Sequence, residues 1–137
     1  HPSRCEPQPF GGLEDYGIGG AGATNMRDNH PTTLICASPD TSDQPDSGVT
    51  RVRVYVWDSN TSEGFRVRAC RTLRDTVGSV CSDPVSTTDA FTGEAVLTLT
   101  ASHLAVWDPI DFGYLEVVIP RNPGNVWNYF KGWITEF

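Results

Sequence analysis

Val49-Thr50-Arg51-Val52-Arg53-Val54-Tyr55-Val56-Trp57 is the stretch on which the fold turns. Val52, Val54 and Val56 fall on one side; Arg51, Arg53, Tyr55 and Trp57 fall on the other. Strict alternation of β-branched and aromatic residues at period two marks a half-buried strand. A second run, Phe65-Arg66-Val67-Arg68-Ala69-Cys70-Arg71, alternates in the same way, with Phe65, Val67 and Ala69 on one side. The intervening Asp58-Ser59-Asn60-Thr61-Ser62-Glu63-Gly64 is polar and ends in glycine, as hairpin connections do. The sequence therefore predicts an antiparallel hairpin with a buried valine face. Matching apolar side to apolar side pairs Val56 with Phe65, Val54 with Val67 and Val52 with Ala69. The same register sets Arg53 opposite Arg68 and Tyr55 opposite Arg66. Like charges directly opposite one another destabilise a sheet, so these arginines need a carboxylate on a neighbouring strand, such as Glu116, or an anionic partner. Arg51, Arg53, Tyr55, Trp57, Arg66 and Arg68 are accordingly the candidate binding residues.

Further strands follow the same logic. Thr33 to Ala37, a brief Val77 to Ser82, Glu94 to Ala101, Gly113 to Ile119 and Trp127 to Phe137 read as strands, and Leu104 to Trp107 as a short strand or a helical turn. No segment carries helical periodicity. Seven or eight short strands separated by turn residues predict an all-β, two-layer antiparallel β-sandwich, immunoglobulin-like or jelly-roll-like. At 137 residues the chain has the length of one domain. Residues 33–137 are expected to form the sandwich core, and residues 1–32, rich in glycine and proline, an extended amino-terminal segment.

Charge and cysteines narrow the setting. A net charge of −7 argues against nucleic acid as a partner. No apolar run reaches membrane-spanning length, so no membrane insertion is expected. Cys5, Cys36, Cys70 and Cys81 lack the paired spacing of a zinc site, and one lysine among many Gly, Pro, Ser, Thr and Asp residues is a secreted, disulfide-stapled composition. Cys5–Cys36 and Cys70–Cys81 are the preferred pairs, with the crossed pairings open. A first residue His1 in place of methionine is what removal of an export signal, or trimming, leaves. The expected location is secreted, extracellular or at the cell surface.

Chemistry-bearing motifs are few. Gly17-Ile18-Gly19-Gly20-Ala21-Gly22 matches G-x-G-x-x-G, but neither the preceding strand nor the following helix of a dinucleotide fold is present. Asp40, Asp43 and Asp46, or Asp58 with Asn60 and Glu63, offer oxygen atoms without calcium-loop spacing, and read as solvated loops. No metal site is expected. Asn60-Thr61-Ser62 fits the glycosylation sequon, placing a candidate site at Asn60. Trp127, Tyr129 and Trp133 fall on one face of the last strand and read as core or interface. No Ser-His-Asp arrangement, carboxylate pair or reactive thiol is recognisable, so the expectation is no enzyme and no cofactor.

Two resemblances bear on function. His1 resembles the amino-terminal copper ligand of lytic polysaccharide monooxygenases, which are also secreted β-sandwiches, with His30 or His103 as the second ligand; Pro2-Ser3-Arg4-Cys5 does not extend the match. Tyr16-Gly17-Ile18, Ile35-Cys36, the Val52, Val54, Val56, Asp58 alternation, Cys70, Gly113-Tyr114 and Ile119-Pro120 together resemble short secreted β-sandwich proteins of environmental bacteria, of unknown function. That resemblance implies export and fold and says nothing of chemistry. It departs at Val118, where those proteins often carry cysteine, so it carries no disulfide pairing over.

The leading functional expectation is a non-catalytic extracellular structural or interaction module, with a subunit of a surface filament or appendage as its specific form. Its partners would be other copies of itself or a cell-surface protein, through strand addition by the amino terminus. The alternative is a secreted carbohydrate-binding module using exposed aromatics, and the remote one a copper enzyme with a histidine brace.

Overall fold

The computed structural model describes residues 5–7, 16–19, 22–25, 30–37, 49–73, 75–88, 91–107, 113–122 and 127–136. Two antiparallel sheets pack face to face around one core. In chain order the strands are β1 (Cys5–Pro7), β2 (Tyr16–Gly19), β3 (Gly22–Asn25), β4 (Thr32–Ala37), β5 (Arg51–Asp58), β6 (Arg66–Thr72), β7 (Ser79–Cys81), β8 (Val85–Ser86), β9 (Gly93–Leu99), β10 (Gly113–Ile119) and β11 (Tyr129–Glu136). A helical turn, α1 (Ala101–Leu104), runs into a single 3-10 turn at Ala105–Trp107 and carries the chain from β9 towards β10. The six-stranded sheet has the order β1-β4-β10-β6-β7, with β8 also on β6; the five-stranded sheet has the order β2-β3-β11-β5-β9.

The valine face of β5 is core, as its alternation requires: Val52, Val54 and Val56 are fully buried. Phe65, Val67 and Ala69 are buried too. The predicted hairpin is not formed, however, because β5 and β6 lie in different sheets. Val56 and Phe65, Val54 and Val67, and Val52 and Ala69 are therefore not cross-strand pairs. β5 pairs instead with β11 and β9, and β6 with β10. Burying two apolar faces explains the difference. A hairpin would have aimed both valine faces the same way and left a second layer to be found elsewhere. An arch turns them towards each other, so that each run becomes the other's core. Arg53 and Arg68 consequently never meet.

Side chains in the connection build the arch. Asp58 is buried and accepts from the Asn60 amide at 3.0 Å and from Thr87 Oγ1 at 2.6 Å. Thr87 Oγ1 in turn accepts from the Phe65 amide at 2.9 Å, tying the end of the arch to its beginning. Asn60 Oδ1 accepts from the Ser62 and Glu63 amides, an Asx turn that replaces the backbone ladder of a hairpin. On the other side, the Ser59 amide donates to Asn128 Oδ1 at 2.7 Å, and both Asn60 Nδ2 and Asn128 Nδ2 donate to the Arg121 carbonyl.

The described parts of the amino-terminal region include strands of both sheets. β1 pairs with β4, and the β2–β3 hairpin adds to β11. Gly17, Ile18, Gly19 and Gly22 of the G-x-G-x-x-G match lie on these two strands, with Gly22 at φ +123° against the backbone of Phe130. Both disulfides have the preferred pairing, and Cys5–Cys36 and Cys70–Cys81 each staple residues directly opposite in register. Two disulfides fit an extracellular protein. No helix is long and apolar enough to cross a membrane.

Candidate functional site

The outer face of β5 is where the sequence placed its candidate binding residues, and splitting the hairpin divides them. Arg51, Arg53, Tyr55 and Trp57 lie on the outside of the five-stranded sheet. Arg66 and Arg68 lie on the outside of the other sheet, across the full thickness of the sandwich. They do not form one surface.

On the six-stranded side the charge question is answered locally for Arg68. Its register partner on β10 is Glu116, and Arg68 Nε and Nη2 donate to the two carboxylate oxygens at 2.8 and 3.2 Å. The Glu116 hydrogen bond raises the Arg68 pKa further above its already high ordinary value, against an opposing contribution from burial. Arg66 and Arg68 line a shallow cleft of about 100 Å³ with Pro84, Glu116 and Val118. A cleft of that size has room for a few waters or one small ion.

The five-stranded side is different. Here Trp57, Val96 and Ile134 are exposed by 40, 50 and 51 %. Tyr55 lies beside Val96 of β9, and Trp57 is flanked in register by Glu94 of β9 and Tyr129 of β11. Ile134 sits across from Arg53. Charges frame this apolar strip at both ends. Arg51 and Arg53 share Glu136, at 3.2 and 2.9 Å. At the other end Lys131 Nζ is 2.6 Å from Glu94 and 5.8 Å from the centre of the Trp57 ring. The Lys131 hydrogen bond and charge hold the Glu94 carboxyl below its ordinary pKa. Trp57 Nε1 donates to Ser59 Oγ at 2.8 Å, which fixes the direction of the indole.

A register irregularity in β11 decides which aromatics reach this face. The pairing with β5 slips between Phe130 and Gly132, and Gly132 has φ +135°, a conformation that favours glycine. Before the bulge Tyr129 points out and Phe130 in; after it Trp133 points in and Ile134 out. The expected single face of Trp127, Tyr129 and Trp133 is thus broken. Trp133 packs against the core, and Ile134 takes the outward position. Sequence reasoning passed over Ile134 and Val96. Gly132 inside an otherwise aromatic strand was the available signal for the first, and the Glu94, Val96, Thr98 alternation for the second.

Other candidates resolve into structure. Asn60 is 2 % exposed with its Nδ2 committed to the Arg121 carbonyl, so the folded chain does not offer it for glycosylation. Asp58 and Asn60 hold the arch, where the calcium reading would have needed their oxygens for a metal. Asp40, Asp43, Asp46 and His1 lie outside the described residues. His103 Nδ1 accepts from the Thr100 amide at 3.1 Å at the start of α1, and His30 is exposed on a bend before β4. Among the described residues no three metal-binding side chains converge. Comparison with family models, curated proteins and solved structures finds no match to this chain.

Proposed function

We propose that this domain is a non-catalytic extracellular interaction module that engages a protein partner through the outer face of its five-stranded sheet. The observation that carries the reading is the cluster of Trp57, Val96 and Ile134, each at least 40 % exposed and framed by Arg51, Arg53, Glu94, Lys131 and Glu136. An apolar centre with aromatic and arginine side chains inside a polar rim is the composition of a protein interface. Two disulfides fit an extracellular setting, which supports reading the module as secreted or displayed at the cell surface. β1 pairs with β4, and β2 and β3 pair with each other and with β11, within their own chain, so strand addition in a filament would use other backbone than these paired sides.

Site-specific photo-crosslinking in the cells that produce the protein tests the proposal. A benzophenone side chain at position 134 is expected to trap a discrete extracellular polypeptide, and the same probe at the fully exposed Val77 is not. No adduct at 134, or equal adducts at both positions, would contradict it.

Glycan binding is a second reading, favoured by the fixed, exposed indole of Trp57 beside Tyr129. Planar aromatics hold sugar rings by apolar contact, but Lys131 already stands over one part of this ring. Retention of the wild type on a polysaccharide, abolished by Trp57→Ala, would favour the glycan over the protein partner.

A further inference from the structure

We propose that two copies of the chain associate by antiparallel pairing of their β9 strands, centred on Val96, to make one continuous ten-stranded sheet. The proposal rests on the edge of the five-stranded sheet and does not require its outer face to have a partner.

An open sheet edge presents unpaired N–H and C=O groups that template another strand, and edges are normally kept short or broken by proline, lysine or a bulge. Among the described residues, three of the four sheet edges follow that rule. β1 has three residues and ends in Pro7; β7 and β8, which share the flank of β6, have three and two; β2 has four, two of them glycine. β9 breaks it. It has seven residues, Gly93-Glu94-Ala95-Val96-Leu97-Thr98-Leu99, with no proline and no lysine, in unbroken register with β5. Among the described residues no strand pairs with its far side. Its length is about 24 Å at the usual rise per residue.

A second copy of this strand fits that edge better than an arbitrary extended peptide. Centring the pair on Val96 aligns all seven residues and keeps outward positions opposite outward ones. Val96, half exposed in the single chain, then meets Val96 of the other copy. Ala95 meets Leu97, continuing the inner layer across the junction, and Glu94 meets Thr98. The strand's single charge thus faces a neutral hydrogen-bonding residue, and the two Glu94 carboxylates are kept four residues apart. Thr98 is itself the register neighbour of Arg53, so each Glu94 enters the row occupied by the other copy's arginine. A slip that set Glu94 against Glu94 would oppose like charges and shorten the pairing, which selects the Val96-centred register.

Sedimentation velocity on the purified chain, from low micromolar to millimolar concentration, reads the association. The expected result is a monomer–dimer equilibrium that Val96→Lys weakens at least tenfold. Position 96 is exposed, so at a concentration where both are monomeric the thermal midpoint of this variant should match the wild type and separate lost pairing from lost folding. Register is read by cysteine cross-linking in a glutathione buffer. Val96→Cys should form a disulfide dimer, since residues facing each other in an antiparallel pair have Cα atoms about 4.5–5.5 Å apart. Glu94→Cys alone should not, but should cross-link when mixed with Thr98→Cys. A monomer throughout the range, a dimer indifferent to Val96→Lys, or Glu94→Cys linking to itself as readily as Val96→Cys would overturn the proposal. Each of these leaves the crosslinking result at position 134 free to stand or fall separately.

Discussion

Thr87 shows how much a single hydroxyl carries in this chain. It donates to the buried Asp58 carboxylate at 2.6 Å and accepts from the Phe65 amide at 2.9 Å. Thr87→Val keeps the shape, leaves the buried Phe65 amide without this acceptor and takes one donor from the Asp58 carboxylate. The expected cost is about 2–4 kcal/mol, read as a lower urea midpoint with an unchanged slope. A shift under about 0.5 kcal/mol would mean that the arch does not depend on this bond. Glu94 gives a prediction with a sign. Lys131 holds its carboxyl below the ordinary value, so the pair's contribution is present above the unfolded pKa and is lost as pH falls through the folded one. Lys131→Met should therefore move the Glu94 titration upward in a carbon-detected NMR pH series. An unmoved titration would remove Lys131 as the cause. Arg68 is tied to Glu116 in the opposite sense, its pKa raised, and stays charged throughout the physiological range. This pair was legible in the sequence. Glu116 was the carboxylate named for the arginine face, although the Arg53–Arg68 opposition that called for it does not occur, because the two lie in different sheets.

Element by element, what alternation could show was visible, and what depends on pairing was not. The period-two runs located β4, β5, β6, β9, β10 and β11 to within a residue or two, because burial on one side writes itself directly into sequence. Which strand lies beside which is set by contacts distant in the chain, and an arch and a hairpin bury the same valines. The deciding signals were Asp58, Asn60 and Thr87, polar residues whose roles appear only once they are brought together. Short strands among glycines, such as β2 and β3, carry too little alternation to be seen at all. The β11 bulge is the clearest case of one residue redirecting an element. Gly132→Val forces a β-branched side chain into φ +135° and should either destabilise the chain by roughly 2 kcal/mol or more, or restore regular register and turn Ile134 inward. Both outcomes can be read from denaturation together with labelling at Ile134. The staples act on elements as well. Cys5–Cys36 closes a separation of 31 residues and pins β1, so its replacement by serines should cost about 3–4 kcal/mol. A loss under about 1 kcal/mol would show that pairing with β4 alone holds β1 in place.

As a whole molecule the protein is a sandwich with two unlike outer faces. The six-stranded side carries the Arg68–Glu116 pair and a small cleft beside Arg66. The five-stranded side keeps a tryptophan, a valine and an isoleucine in water. Sequence alone merged these faces because it joined β5 to β6, and the functional reading inherited that join. Separating them moves the candidate interface from an arginine stripe to an apolar strip with a charged rim. Trp57→Ala and Ile134→Lys change exposed side chains and should leave stability within about 0.5 kcal/mol while removing partner engagement. The most direct test compares hydroxyl-radical labelling of the purified chain with labelling of the same chain in its native extracellular setting. Trp57, Tyr129 and Ile134 should be protected in the native setting, with Val77 and Val80 labelled equally in both. Equal labelling of Trp57 and Ile134 in the two settings would contradict the account.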